Sequence, residues 1–322
     1  MHLPSYDELP IRPGLPPGSS WGVWGDHDVF GCLNLLTPDA VQAGLGAVRD
    51  GTVFPLGLEL ELPGPPLFGR SAHRHDVAGI GEMAHDESLS DWNTQASSQW
   101  DGFRHVGHPL YGFYGGVPDE DHGVHHWARR GIVGRAVVCD LARHRAAVGH
   151  PIDCATSDAI TPDDVEGALA AQGVQVHAGD ILLLHTGWVD WYRSLDGPGR
   201  EGLADSLRCP GLVPGTPTAR LLWDLHIAAV AADNPAVELW PPAANLTREE
   251  RREARADPDR AHEVFLHYSL LPLLGLPLGE LWDLGPLAGA CAGDGRWTCL
   301  LTSAPLNLRA GVASPPNAIA MR

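Results

Sequence analysis

Hydrophobic and polar positions alternate in short blocks along this chain. Apolar runs over 132–142, 180–188, 227–233 and 297–306 are each bounded by polar, Gly or Pro residues, the pattern of short buried strands. Helices are predicted over 37–49 and 161–172. Thr37-Pro38 and Thr161-Pro162-Asp163-Asp164 each place a capping hydroxyl before a first-turn proline, and Gly173 suits a C-terminal cap. A third helix containing 217–225 runs into the strand beginning near Ile227. Local alternation of helix and strand predicts an α/β fold that carries polar residues to one edge of a sheet. Two segments read as exposed: 189–215, rich in Gly, Pro and charge, and 247–260 (TREERREARADPDR), a solvated helix or lid.

Composition narrows the class. At 322 residues and 44% hydrophobic, with no repeat of fixed period, the chain reads as one compact domain over 1–322 with an N-terminal extension over about 1–20. Its net charge of −18 comes from 40 acidic against 22 basic side chains, all of the latter arginine. Nucleic acid and anionic membranes are repelled by such a field and are not expected as partners. No stretch approaches the roughly 20 apolar residues of a membrane span, and the start lacks a basic-then-apolar leader, so a cytoplasmic protein is expected. Six scattered cysteines without CxxC spacing are expected to be reduced core residues.

Three clusters carry candidate chemistry. The first gathers Gln95, Gln99, Asp101, His105 and His108 within 95–108. On an extended strand 99, 101, 103 and 105 face one way, so Gln99, Asp101 and His105 converge as O and N donors for a divalent metal; the plain alternative is an exposed polar loop. The second, Asp233-Asn234-Pro235-Ala236-Val237-Glu238, follows a buried run and reads equally as a working strand end or as an Asx turn. The third places His267 and Glu280 around an apolar stretch broken by Pro and Gly, where a buried charge needs a partner or a metal; otherwise Glu280 is a surface loop residue. Trp100, Phe103, Tyr111, Phe113 and Trp188 are aromatic candidates for a substrate pocket, although with 11 tryptophans core packing is their default. Gln95, His108, Asn234 and Glu238 are the polar candidates for substrate contact. Gly-x-Ser-x-Gly, Walker A and GxGxxG signatures are missing, which argues against familiar hydride and phosphoryl chemistry.

At these residues the sequence resembles the cyclase family, metal-dependent hydrolases typified by bacterial kynurenine formamidase, in its longer-chain subgroup. The landmarks include Ser98-Gln-Trp-Asp-Gly-Phe-Arg-His105, Gly179-Asp-Ile-Leu-Leu-Leu-His-Thr-Gly-Trp188, Ala232-Asp-Asn-Pro-Ala-Val-Glu238 and Pro277-Leu-Gly-Glu-Leu-Trp-Asp283. The resemblance implies a swivelling β/β/α fold in a homodimer or homotetramer, with residues of a neighbouring subunit closing the site. Short members carry His-x-x-x-His-x-Asp-x-Pro-x-His. Laid on this chain, the metal-binding aspartate falls on Asp101 and the catalytic histidine on His105. The first two histidines fall on Gln95 and Gln99, and the proline on Phe103. Later metal-binding positions match His267 and Glu280. Neutral amides in place of imidazoles weaken a zinc site and favour a harder ion such as manganese, or no ion.

The reading that follows is a hydrolase of an amide, lactone or related acyl bond in a small cyclic or aromatic substrate. A divalent ion, manganese or zinc, would be held by Gln99, Asp101, His267 and Glu280, with His105 as general acid and base. A metal-independent cyclase or dehydratase using Asp101, His105 and Glu238 or Glu280 is the first alternative, and a non-catalytic binding protein the second.

Overall fold

A computed structural model of the chain describes residues 3–322, the side chains of Asp119, Arg255 and Asp259 excepted. Its strands are β1 (Val53–Pro55), β2 (Arg74–Ile80), β3 (Ala84–Ser90), β4 (Gln99–Asp101), β5 (Ile132–Asp140), β6 (Ala159–Ile160), β7 (Ile181–His185), β8 (Gly211–Leu212), β9 (Ala229–Ala232), β10 (Leu278–Glu280), β11 (Thr298–Ser303), β12 (Ala313–Ser314) and β13 (Ala318–Met321). Nine of them form one sheet in the order β1-β13-β11-β5-β7-β9-β10-β4-β12. The centre, β5-β7-β9-β10, is parallel, and antiparallel pairs flank it on both sides. Parallel strands need both faces covered, which explains why Val137, Val138, Leu182, Leu183 and Val230 are fully buried.

Local chemistry sets the helices as expected. Thr37 caps Pro38–Ala47 by accepting from the Ala40 amide, and Thr161 and Asp164 form a reciprocal capping box at the start of Pro162–Gln172, which Gly173 closes in the left-handed region. Helix Pro38–Ala47 packs on β5 and β11. Gly44 makes that approach possible, because a Cβ there would sit 2.8 Å from the Gly134 backbone. The charged segment forms helix Arg248–Ala256, capped by Thr247 and Glu250. Of the N-terminal extension, residues 1 and 2 lie outside the described residues; the rest is tied down, for example by the Trp223 indole N–H to the Pro4 carbonyl at 2.9 Å.

One expectation needs correcting. Residues 189–215, expected to be exposed, are exposed only in part. Helices Trp188–Ser194 and Gly197–Asp205 occupy much of the segment, and Trp188, Val189, Tyr192 and Cys209 build a second apolar cluster with Leu67 and Leu281. The Gly and Pro residues there misled because Pro198 sits in a first helical turn, where it costs nothing. Segment 95–108 opens as the strand its alternation predicts, with Gln99, Trp100 and Asp101 wholly buried on β4, and the alternative of an exposed polar loop falls.

Outside the core, β2 and β3 form a hairpin exposed along nearly its whole length. Cys154 is half-buried, the other cysteines are buried, and all six are free thiols. Among the described residues no helix is long and apolar enough to cross a membrane.

Gly211 on β8 lies against the Glu238 backbone, where any Cβ would collide with it. Gly211→Ala is therefore expected to lower stability by about 1–3 kcal/mol, as forced overpacking does, and thermal denaturation checks this. An unchanged Tm would mean that the 238 loop yields without cost.

Candidate metal centre

The site begins with strand pairing. β4 and β10 run antiparallel with Glu280 opposite Gln99 and Leu278 opposite Asp101, and alternation along β4 turns Gln99 and Asp101 to one face. Trp100 faces the other way. Its ring packs on Trp282 at 4.8 Å and its N–H donates to Ser303 at 2.9 Å, so it is a core residue and not a pocket wall. Strand geometry stops at Asp101, and the expected alternation does not continue to 105. A turn at Gly102, closed by the His105 amide donating to the Gly102 carbonyl at 2.9 Å, sends Phe103 into the core against Tyr114 and Trp127. That turn returns His105 to the Asp101 face.

His267 arrives from a third direction and is held by Glu238. The Glu238 carboxylate accepts from the Leu266 amide at 2.7 Å, the His267 amide at 3.0 Å and His267 Nδ1 at 2.5 Å. Three bonds to one fully buried carboxylate fix the ring and aim Nε2 at the site, where Glu280 Oε1 lies at 3.3 Å and Asp101 Oδ2 at 4.0 Å. A carboxylate behind an imidazole whose other nitrogen faces a donor cluster is the usual support of a metal-binding histidine. Glu238, expected at a substrate contact, is thus a positioning residue. Asp101, His105 and His267 each offer a ligand atom within 4.8 Å of the others.

The two glutamines act as donors. Gln95 Nε2 donates to Asp101 Oδ1 at 2.7 Å and lies 3.0 Å from His105 Nδ1. Gln99 Nε2 donates to Glu280 Oε2 at 2.5 Å and reaches both Asp101 oxygens at 3.3 Å. Its Oε1 faces Arg70 Nη1, also at 3.3 Å. An arginine can only donate, so this contact fixes the amide's orientation and turns its oxygen away from the cluster. Gln99, expected as a ligand through its oxygen, thus presents its N–H group to the cluster. Asp101, His267 and Glu280 remain, with the His105 ring beside them, and carboxylate and imidazole donors of this kind fit a divalent ion of borderline or hard character.

Burial sets the electrostatics. It depresses the His105 imidazole below its usual range, a pull that the Asp101 carboxylate partly offsets. Burial would also depress His267, but the Glu238 and Glu280 carboxylates overcome it and hold that ring well above its usual range. Glu280 is raised, first by burial and then by the neighbouring Asp101 carboxylate. Two carboxylates so close, one of them shifted toward protonation, are an arrangement that a cation would relieve.

Other candidates fall elsewhere. Asn234 is buried and donates to the Pro210 carbonyl at 2.6 Å, so it shapes the loop between β9 and Glu238. Beside it Asp233 accepts from the Thr186 amide at 2.7 Å and the Gly187 amide at 2.8 Å. His108 stacks on Tyr111 at 4.7 Å and meets Tyr268, the residue after His267, edge-on at 5.9 Å. Trp188 lies in the second apolar cluster, not at the site. Arg70 was not foreseen. It follows an unremarkable Gly-Pro-Pro-Leu-Phe-Gly loop, and only the fold brings it to Gln95 and Gln99.

Removing Glu238 should expose how much rests on it. Glu238→Ala leaves two buried amides and an imidazole without their acceptor, and a loss of about 3–5 kcal/mol is expected from breaking a buried pair on one side. Chemical denaturation measures it. A loss below about 1 kcal/mol would mean that His267 does not depend on this carboxylate.

Comparison with known proteins agrees with this geometry. The family model described as putative cyclase matches residues 48–239. No curated protein matches the chain. A solved structure described as a novel cyclase is 29% identical, with a TM-score of 0.79, over 94% of this chain and 97% of its own. Isatin hydrolase A from Labrenzia aggregata, bound to benzyl benzoate, is 18% identical with a TM-score of 0.54, over 86% of this chain and 94% of its own. Isatin hydrolase A from Ralstonia solanacearum is 16% identical with a TM-score of 0.53, over 88% and 97%. The architecture is the swivelling β/β/α fold expected from the sequence. With more than half of its length matched by the family model, and with Asp101, His105 and His267 gathered at one point of that fold, the chain belongs to the putative cyclase family.

Proposed function

We propose that this protein is a metal-dependent hydrolase of an amide, lactone or related acyl bond in a small cyclic or aromatic substrate. The observation that carries the reading is the convergence of Asp101, His105 and His267 donor atoms within 4.8 Å, with Glu280 beside them and Glu238 orienting His267. Isatin hydrolases share the fold, and the reading agrees with that.

Asp101, His267 and Glu280 would hold the ion, manganese or zinc, which when bound lowers the pKa of water and polarises a carbonyl. His105 supplies the proton transfer. Gln95 Nε2 beside Nδ1 favours the neutral ring with its lone pair on that atom, burial keeps the ring neutral near pH 7, and the ring acts as base once water takes the place of this amide. In the reaction the water oxygen bonds to the acyl carbon and the C–N or C–O bond breaks. One water proton passes to His105 Nδ1, released from the Gln95 amide, and on to the leaving group, and the other is released as the product ionises to a carboxylate.

One observation favours a second reading. Gln95 and Gln99 already satisfy Asp101 and Glu280 by hydrogen bonds, which suits acid–base cyclisation or dehydration without metal. Elemental analysis of protein purified without chelator separates the two, with about one ion per chain expected for the hydrolase. Asp101→Ala should abolish both metal and hydrolysis. His105→Ala should keep the metal and lose roughly 10²–10⁴-fold in kcat, the range for a lost general acid–base. Full metal occupancy in Asp101→Ala would overturn the ligand assignment.

A homodimer or homotetramer is also proposed. The β2-β3 hairpin exposes Val77, Ile80, Met83 and Leu89, with Met83 94% exposed, and an isolated two-stranded hairpin is marginal in water without a packing partner. Replacing residues 75–89 with a short Gly-Ser turn should convert the oligomer to monomer in light scattering. An unchanged mass would show that the hairpin makes no such contact. Small molecules remain the proposed substrates, with neither nucleic acid nor membrane as partner, and the free buried thiols suit the cytoplasm.

A further inference from the structure

Acyl hydrolysis turns a neutral group into a carboxylate, and this site is walled by carboxylates. Asp101, Glu238 and Glu280 are all buried there. An anionic product, or the oxyanion that precedes it, therefore needs a compensating donor from the chain. Arg70 lies at that wall. Its Nη1 donates to the Gln95 carbonyl at 2.6 Å and to Gln99 Oε1 at 3.3 Å. Among the described residues no carboxylate lies within ion-pair distance of it, although its charge is felt by Glu280, and neither Nε nor Nη2 donates to a protein acceptor. A guanidinium presents a planar fork that suits two carboxylate oxygens.

The surroundings of Arg70 lead to an apolar space. The guanidinium lies over the Phe68 ring at 4.8 Å, and Phe68 meets Trp240 edge-on at 4.9 Å. Trp240 in turn lines a cavity of about 400 Å³ together with Val264, Phe265, Tyr268 and Ala254 of helix Arg248–Ala256. Phe265, on the other wall, stacks flat on His267 at 4.6 Å. Two walls of one cavity thus each touch a residue that belongs to the site or borders Arg70. The volume falls in the range of small-molecule pockets.

We propose that Arg70 binds the anionic oxygens formed on the acyl group, while the substrate's apolar body occupies the cavity between Trp240 and Phe265. The substrate class is then an acyl compound with an aromatic or alicyclic body of about one or two rings that leaves as a carboxylate. This rests on the hydrolase reading for the origin of the anion. The rival role for Arg70 is a brace that only holds Gln95 and Gln99.

Calorimetry with benzoate, and with its neutral counterpart benzamide, tests the assignment on the full chain, both as purified and after treatment with chelator. Benzoate is expected to bind wild type in both preparations, at least tenfold more weakly to Arg70→Met and with intermediate affinity to Arg70→Lys, while benzamide binds all three alike. A brace would instead weaken benzoate and benzamide together. That result, or equal benzoate affinity in wild type and Arg70→Met, or no benzoate binding by wild type, would overturn the proposal. The two readings fail separately. If acyl esters are cleaved but benzoate inhibition ignores Arg70, the anion subsite falls and the hydrolase stands; if nothing is cleaved while benzoate still requires Arg70, the hydrolase falls and the subsite stands.

Discussion

The grip of one buried carboxylate on one imidazole organises this molecule's chemistry. Glu238 accepts from two successive backbone amides and from His267 Nδ1, which fixes the ring in a place where it would otherwise be costly to hold a polar group. Everything that reaches the carboxylate is itself positioned. Asp233, anchored by the Thr186 and Gly187 amides, and Asn234, anchored on Pro210, set the loop that carries Glu238 off the end of β9. Gly211, with no side chain, lets β8 lie against it. The parallel sheet thus delivers a rigid strand end, and the loop converts that rigidity into the direction of His267 Nε2.

Opposite His267, the pairing of β4 with β10 supplies Asp101 and Glu280 on one face. Their mutual repulsion and burial are the destabilising cost of the site. Gln95 and Gln99 offset part of it by donating amide protons. With Gln99 Oε1 facing Arg70, that amide turns its N–H group, not its oxygen, to the carboxylates. Asp101, His267 and Glu280 thus face one another with His105 beside them, and the glutamine amides hydrogen-bond to the two carboxylates. The Gln99 contact also makes Arg70 part of the same network, one residue removed from the reacting groups.

Much of this was legible in the sequence where local rules decide. The four main buried strands and the capped helices beginning at Thr37 and Thr161 follow from periodicity and cap chemistry, and Asp101, His105, His267 and Glu280 were identifiable from their residue types and from resemblance. Long-range geometry was not legible. Phe103 shares a strand-face parity with Asp101, but the turn at Gly102 ends the strand and sends it to the core. Trp100 and Trp188 looked available as pocket walls because a sequence gives no burial for a lone aromatic, and both are fully buried. Glu238 read as a turn residue or a substrate contact, since its partner His267 is 29 positions away. Arg70 gave no signal, because its role depends on the orientation of an amide that only the fold decides.

A crystal structure of the protein grown with manganese, read by anomalous scattering at the manganese edge, tests the central claim most directly. The account predicts a single ion contacting Asp101 and His267, with Glu238 still bonded to His267 Nδ1 and Gln99 Oε1 still turned to Arg70. Two ions ligated by the Gln95 and Gln99 oxygens, or no ion at the Asp101–His267 cluster, would contradict it.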